Sequence, residues 1–155
     1  MNVRAPLACY IARANTAMET TDAKVLEFRI PADTRYIAVV RRGIRNLAES
    51  AGFSRDAVAD VEVAVSEAVA NSVAHGSPNP RAAAVSVKCK ASDDLLVIEI
   101  EDQGAVDSLP IAPRECDPRQ ETGRGMLMMR ALMDECEDCR TETGLRVRMA
   151  KQKVG

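Results

Sequence analysis

DVEVAVSEAVANSVAHG, residues Asp60 to Gly76, is the most informative segment of this chain. Advancing each residue by about 100° around a helical axis places Glu67, Asn71 and His75 within one arc of roughly 80°. Valine and alanine cover most of the remaining surface, and a helix that is apolar nearly all round is a buried one. Because a buried carboxylate or amide needs a polar partner, we expect the stripe to line a cavity that holds a polar ligand. The alternative is that Glu67 and Asn71 lie on a solvated helix face.

Length and composition describe one ordinary globular domain. A chain of 155 residues is long enough to bury a core of its own. The formal net charge of −2 gives no general attraction to nucleic acid or to an anionic membrane, and aromatics at 3% argue against a base-stacking surface. The apolar run from Leu7 to Ala12 is too short for a signal peptide or a membrane span. We therefore expect a cytoplasmic protein with no direct nucleic-acid or membrane contact.

The cysteines offer a weak alternative. Five is an odd number, which fits a reducing compartment, and Cys136 and Cys139 form a single CxxC pair. Zinc sites usually need four ligands, and the chain has one histidine, His75, far away in sequence. We expect these thiols to lie in or beside a strand rather than to bind metal.

Sequence periodicity predicts the elements of the fold. Alternating apolar and polar side chains predict strands at Lys24 to Ile30, Ala84 to Lys90 and Leu95 to Glu101. Two final short strands are expected on either side of Thr143-Gly144, at Glu137 to Thr141 and Leu145 to Ala150. Apolar spacings of three and four, with capping residues and glycines, predict three helices, from Asp33 or Thr34 to about Ala51, from Ser54 to Gly76 and from Gly123 to Asp134.

The order of these elements is strand, two helices, hairpin, long loop, helix, hairpin. Helices on one face of a mixed, mostly antiparallel sheet predict an α+β two-layer sandwich. Residues 1–22 lack a clear period and are expected to be a flexible N-terminal arm, with residues 23–152 forming the domain. The proline-bearing segment from about 104 to 122 has the length of a functional lid.

Two further motifs supply complementary chemistry. Asp102-Gln103-Gly104 follows a predicted strand, where the carboxylate can accept a hydrogen bond from an exocyclic amine such as that of adenine. Gly123-Arg124-Gly125 opens a helix, whose N-terminal N–H groups and dipole suit a phosphate group. An amide oxygen such as that of Asn71 suits Mg²⁺, and Glu67, one turn earlier, can orient or deprotonate a nucleophile.

These motifs resemble those of the Bergerat-type ATP-binding fold shared by gyrase, Hsp90, histidine kinases and MutL. Within it, the chain looks most like the anti-sigma-factor serine kinases. SEAVANSVAHG is similar to their N box, EDQG to the first glycine box and TGRGMLMMRALMDEC to the second. FRIPAD, from Phe28 to Asp33, and the arginine-bearing helix after it also resemble that family, so the likeness covers about Lys24 to Lys151.

The resemblance implies a role for each site residue. Glu67 would be the general base for a serine hydroxyl, and Asn71 would coordinate the Mg²⁺ that bridges the nucleotide phosphates. Asp102 would read adenine, with Gly104 allowing its close approach. His75 matches the family's histidine position, where a capping or packing role is the alternative to a ligand role. The second glycine box would complete the ATP site with Thr122, Gly123, Arg124, Gly125 and Met126.

The implied activity is that of an ATP-dependent protein-serine kinase with ATP and Mg²⁺ as cofactors. Such a protein binds a sigma factor, phosphorylates an anti-anti-sigma partner with a STAS domain, and is expected to be a homodimer. The alternative is a non-catalytic regulator that sequesters a partner. A histidine-kinase catalytic domain is a third possibility, although the one histidine, His75, lies inside the N box.

Two residues depart from the family pattern, and one surface is a candidate for partner binding. Val106 stands where a second glycine is common, and Leu145 replaces a threonine whose hydroxyl would help to hold adenine. Both changes are expected to weaken nucleotide binding without altering Glu67 or Asn71.

The first long helix is a candidate surface for partner binding. It carries four arginines that could meet an acidic partner or could form a solvated face, at Arg35, Arg41, Arg42 and Arg45.

Overall fold

The computed structural model describes residues 23–75, 84–102, 121–140 and 144–155. Five strands and three α helices lie within these ranges, in the predicted order. They are β1 (Lys24–Pro31), a 3₁₀ helix (Thr34–Tyr36), α1 (Ile37–Ser50), α2 (Arg55–His75), β2 (Ala84–Ala91), β3 (Leu95–Asp102), α3 (Glu121–Leu132), β4 (Glu135–Arg140) and β5 (Leu145–Gln152). The predicted flexible arm and nearly all of the predicted lid lie outside the described residues, so both stay predictions.

The strands form one sheet in the order β1-β2-β3-β5-β4, and each of the four described pairings is antiparallel. Both predicted hairpins are present. β2 pairs with β3 so that Cys89 lies opposite Ile98, and β4 pairs with β5 so that Cys136 lies opposite Met149. The sheet and its three helices form the predicted α+β two-layer sandwich.

The hydrophobic core lies between the sheet and the helices. Along β2, Val85, Val87 and Cys89 are buried while Ser86 between them is exposed. This period of two directs one face of the strand to the helices and the other to solvent. The helices contribute matching apolar faces, such as that of Val40, Ile44 and Ala48 on α1.

α1 begins slightly later than predicted. Asp33 acts as the predicted cap, because its Oδ1 accepts from the Arg35 backbone N–H at 2.9 Å, but the first turn is a 3₁₀ helix. The Arg35 side chain also donates to this carboxylate, which lowers the pKa of Asp33. The tight turn after Pro31 is thereby closed before the α helix starts at Ile37.

Two lysines that are distant in sequence, Lys24 of β1 and Lys153 just after β5, cap the carboxyl end of α1. Lys24 Nζ donates to the Ser50 carbonyl oxygen at 2.9 Å, and Lys153 Nζ donates to that of Ala51 at 3.0 Å. The last carbonyls of a helix have no intrahelical partner and carry the negative end of its dipole, so a lysine is well suited there. Gly52 follows with φ of +81°, a conformation that glycine adopts without strain.

The outer face of the sheet carries a row of ion pairs. Lys88 bonds to Glu27 at 2.8 Å, Arg148 to Glu99 at 2.9 Å, and Arg146 to Glu101 at 2.7 Å. The hydrogen bond to Glu27 raises the pKa of Lys88. Since exposed pairs contribute only about 0 to 1 kcal/mol each, their main effect is to keep this face polar.

Candidate functional site

α2 carries the predicted polar stripe and is anchored at its start by Ser54, whose Oγ accepts from the Ala57 backbone N–H at 3.2 Å. Its buried positions include Val61, Val65 and Val69, which face the core. Val63, however, is 42% exposed. The helix is therefore buried along one side and not nearly all round as predicted, because within the described ranges the sheet and the two flanking helices cover that side.

Glu67 and Asn71 lie at the edge of the buried side of α2, and both are half-buried. They contact α3 at Gly125. A β-carbon on residue 125 would lie 3.0 Å from Asn71 Nδ2 and 3.2 Å from Glu67 Oε2. The structure thus brings the N box and the second glycine box together, with the close approach made possible by the missing side chain of glycine.

α3 begins at Glu121, two residues before the predicted start at Gly123. Acidic and polar residues such as Glu121 and Thr122 favour the first turn, where the positive end of the helix dipole lies. Gly123 and Gly125 consequently lie inside the helix, and the backbone N–H groups of its first turn belong to Glu121, Thr122 and Gly123. The side chains of Glu121 and Thr122 lie outside the described part of the structure.

Asp102 is the last residue of β3 and is 5% exposed. Its Oδ1 accepts from the backbone N–H of Leu145, the first residue of β5, at 3.2 Å. Leu145 is one of the two departures noted from the sequence. Although it has no hydroxyl, its main chain orients the Asp102 carboxylate, and a backbone donor is available whatever the side chain is.

The remaining predicted site residues are described less completely. Arg124 is exposed, and Met126 is half-buried with its Sδ 3.9 Å from Cys136 Sγ. His75 ends α2, but its side chain is not described. Gly104 and Val106 lie outside the described residues, so the expected effects of these two positions stay predictions.

Two thiols lie in the described part of the chain, that of Cys89 buried and that of Cys136 half-buried. Cys89 is fully buried, and burial raises its pKa to about 12. Burial likewise raises the pKa of Cys136, the first residue of the CxxC pair, to about 11. Metal binding and disulfide exchange need the thiolate, which these environments disfavour. In the described ranges no three His, Cys, Asp or Glu side chains are grouped as a metal site would require.

The predicted basic face of α1 is partly neutralised by neighbouring acids. Arg45 pairs with Glu49 at 3.1 Å and with Glu62 of α2 at 3.7 Å, while Arg41 lies 4.0 Å from Glu62. Arg42 is exposed. The arginines therefore help to join α1 to α2, and Arg42 is the one best placed to meet another molecule.

One set of contacts near the site was not predicted. Lys151 of β5 lies on the inner face of the sheet and bonds to Asp60 of α2 and to the carbonyl of Leu132 in α3. The available signal was the position of Lys151, two residues beyond the buried Met149 on an alternating strand. A lysine at an inward position needs an acidic or carbonyl partner.

The residues present fit a magnesium nucleotide. Asn71 supplies an amide oxygen, a ligand type that Mg²⁺ accepts alongside phosphate and water oxygens. Gly125 leaves the space beside Asn71 that a β-carbon would otherwise occupy. Asp102 supplies a nearly buried carboxylate whose orientation is set by a backbone donor, which suits recognition of an amine-bearing base.

Comparisons with known proteins identify the family of this chain. Residues 30–151 match the model of the histidine kinase-like ATPase domain family. The chain is 31% identical over 145 residues to the serine-protein kinase RsbW of Bacillus velezensis, covering 88% of this chain and 90% of that protein. It is 29% identical to the RsbW of Bacillus subtilis, covering 86% of this chain and 89% of that protein.

A solved structure shares the fold. The crystal structure of the RsbU and RsbW domains of a Mycobacterium tuberculosis protein superposes with a TM-score of 0.62 at 20% identity. The match covers 84% of this chain and 32% of that longer chain. The fold is thus that of the histidine kinase-like ATPases.

The chain belongs to the histidine kinase-like ATPase domain family and, within it, to the serine-protein kinases of the RsbW type. It is accordingly a protein-serine kinase that uses ATP. Within the described residues no helix is long and apolar enough to span a bilayer.

Proposed function

We propose that this kinase is an anti-sigma factor that binds a sigma factor and uses Mg·ATP to phosphorylate a serine of a STAS-domain anti-anti-sigma partner. The observation that carries the proposal is the approach of Gly125 to both Glu67 and Asn71. A prospective base and a prospective metal ligand thereby share one wall with the glycine-rich helix. This is the juxtaposition that phosphoryl transfer needs, since its catalysis is mostly positioning and charge stabilisation.

Asn71 would hold the metal and α3 would hold the phosphates. Bound Mg²⁺ neutralises charge on the phosphate oxygens and orients the transferred group. Asn71 contributes its amide oxygen, and the first turn of α3 contributes backbone donors and the positive end of its dipole. The narrow space at Gly125 keeps these two contributions adjacent.

Glu67 would act on the incoming serine. It lies one helical turn before Asn71 on the same side of α2, where its carboxylate would accept the proton of a serine hydroxyl brought to the bound nucleotide. Its half-buried position limits competition from water. Proton removal by a positioned base contributes about 10²- to 10⁴-fold to such a reaction.

Phosphotransfer to a purified STAS-domain protein tests the proposal. The chain is incubated with labelled Mg·ATP and the candidate partner, and the product is mapped by mass spectrometry. We expect acid-stable phosphoserine on the partner, with the rate reduced at least 100-fold by Glu67→Gln and abolished by Asn71→Ala. Glu62→Gln is the matched control, because Glu62 is on the same helix but pairs with Arg41 and Arg45 away from Gly125.

Two outcomes would contradict the proposal. A tight complex with the partner but no phosphoserine would support the alternative of a non-catalytic regulator, which the missing hydroxyl at Leu145 favours. An acid-labile phosphate on a partner histidine would instead indicate a histidine kinase. Equal rates for Glu67→Gln and Glu62→Gln would remove Glu67 from the role of base.

The partners, oligomeric state and compartment complete the proposal. We place the protein in the cytoplasm as a homodimer, with Arg42 on α1 as part of the surface that meets an acidic region of the sigma factor. Arg42→Glu should weaken sigma binding at least tenfold, whereas Arg45→Glu would also break the pairs with Glu49 and Glu62. Light scattering on the purified chain checks the dimer, and a single protomer mass would contradict it.

A further inference from the structure

Lys151 joins three elements of the fold. It is on β5 at an inward position, and only 14% of its side chain is exposed. Its Nζ donates to Asp60 Oδ2 of α2 at 2.9 Å and to the Leu132 carbonyl oxygen of α3 at 2.6 Å. Leu132 is the last residue of α3, so Lys151 caps the carboxyl end of the helix that carries the second glycine box.

The two ends of α3 are therefore tied to the same neighbouring helix. Near its start, Gly125 contacts Glu67 and Asn71 of α2. At its end, Leu132 is linked through Lys151 to Asp60, which lies earlier on α2. The two helices consequently run in opposite directions, with one contact at each end.

Small movements at one end of α3 matter at the other. Seven residues separate Gly125 from Leu132, which is about 10 Å along a helix. A tilt of about 5° around the Leu132 end would displace Gly125 by roughly 1 Å. Displacements of that size at a reacting centre can cost about 100-fold in rate.

We propose that Lys151 and Asp60 form a positioning clamp that sets the tilt of α3, and through it the distance between the phosphate-binding turn and Asn71. This deepens the proposed function and rests on it for the identity of the ligand. Neither Lys151 nor Asp60 is among the predicted nucleotide-binding residues. Adenine recognition by Asp102 should be independent of the clamp, because Asp102 accepts from the Leu145 backbone N–H at the end of β5 opposite to Lys151.

The central variant is Lys151→Met, which removes the ammonium group and keeps most of the apolar stem. Lys153→Met is the matched control, since Lys153 caps the carboxyl end of α1 at Ala51 in the same way but touches neither α2 nor α3 in the described contacts. Lys151→Arg keeps a charged donor, so it should bind ATP more tightly than Lys151→Met does. Asp60→Asn weakens the bond to Lys151 and leaves the bond between Lys151 and Leu132 in place. This variant replaces Lys151→Met in the experiment if Lys151→Met does not fold.

The readout is the ratio of Mg·ATP affinity to adenosine affinity, measured by calorimetry at a temperature where each variant is folded. Adenosine lacks phosphates, so a general loss of structure would lower both affinities together. We expect Lys151→Met to weaken ATP binding roughly fivefold or more with adenosine binding unchanged, and Lys153→Met to leave the ratio as in the wild type. The same ratio in all variants and in the wild type would overturn the clamp.

Hydrogen exchange separates failure of the clamp from failure of the proposed function. Without any nucleotide, Lys151→Met should speed exchange of the amides of α3, while Lys153→Met should speed exchange at the end of α1. If the wild type bound no ATP yet α3 responded in this way, the proposed function would fail and the clamp would stand. Unchanged exchange in α3 would refute the clamp whatever the nucleotide result.

Discussion

Gly125 and Asn71 are packed so closely that a β-carbon on residue 125 would lie 3.0 Å from Asn71 Nδ2. That distance is shorter than ordinary van der Waals contact, so a larger residue at position 125 would require the side chains of Asn71 and Glu67 to shift by a few tenths of an ångström. Two features therefore favour glycine at position 125: the Asn71 amide that it faces, and the phosphate that the second glycine box is expected to approach.

Replacing Gly125 with alanine should separate stability from activity. Alanine is a better helix former by about 1 kcal/mol, so the free energy of unfolding should stay the same or rise. The new methyl group would push Asn71 and Glu67 away, and the rate of phosphotransfer should fall at least tenfold. Urea unfolding and labelled-ATP assays of Gly125→Ala check the two parts.

The control for that experiment is Met128→Ala, an exposed position on the same helix. Its activity should equal that of the wild type. Full activity in Gly125→Ala would mean that the site tolerates the displacement, and would contradict the importance given to this contact.

Gly43 on α1 should respond in the opposite direction to alanine. A β-carbon there would lie 2.5 Å from Phe28 Cζ of β1, a distance that requires the ring to move. Overpacking costs about 1 to 3 kcal/mol and exceeds the gain in helix propensity, so Gly43→Ala should lower the free energy of unfolding by about 1 kcal/mol.

A double-mutant cycle with Phe28→Leu checks this explanation. Leucine is shorter than phenylalanine, so the combined variant should lose less stability than the sum of the two single variants. Strictly additive losses would show that Gly43→Ala acts somewhere other than on Phe28.

Asp102→Asn should impair nucleotide binding while preserving the fold. The new amide retains an oxygen that can accept from the Leu145 N–H, whereas its nitrogen only donates and so cannot accept from an exocyclic amine. We expect the dissociation constant for ATP to rise at least tenfold, which corresponds to about 1.4 kcal/mol, with little change in melting temperature.

Glu99→Gln is the matched control for Asp102→Asn. Glu99 lies on the same strand, but its carboxylate pairs with Arg148 on the outer face of the sheet. Calorimetry should give wild-type ATP affinity for this variant. An equal loss in both variants would assign the effect to strand β3 in general and not to adenine recognition.

Burial of Cys89 predicts how stability changes with pH. The thiol ionises near its ordinary value of 9.0 when unfolded, but burial raises its pKa in the folded protein to about 12. Between those values the unfolded state has lost the proton and the folded state keeps it, so stability falls as pH rises. The slope is about 1.4 kcal/mol per pH unit from this group.

Cys89→Ala isolates the contribution of this thiol. The variant should be less stable than the wild type at pH 8 because it leaves a cavity in the core. The difference in the free energy of unfolding between the two proteins should shrink by about 2 kcal/mol by pH 10.5. The reason is that ionisation of the thiol stabilises the unfolded state of the wild type, whereas the variant has no thiol at this position. A difference that stays constant with pH would show that Cys89 ionises as easily in the folded protein as in the unfolded one.

Much of this architecture follows from local pattern. Alternation along Ala84–Ala91 and Leu95–Asp102 identifies both strands, because one face of a sheet packs on the core while the other meets water. Element boundaries are less certain: α3 starts at Glu121 and not at Gly123, since glycines inside a helix resemble a helix start in sequence. The burial of α2 was also overestimated, because residue type does not reveal which neighbours cover a helix.

Spacing within single elements was enough to predict the class of fold, the polar stripe of Glu67 and Asn71, and the carboxylate at the end of a strand. No local pattern predicts that Gly125 faces Asn71, that the Leu145 main chain orients Asp102, or that Lys151 joins Asp60 to Leu132. Lys151 is 91 positions from Asp60 and 19 positions from Leu132 in the sequence. Such contacts arise from packing, because backbone donors, missing β-carbons and helix ends become partners only when separate elements are brought together.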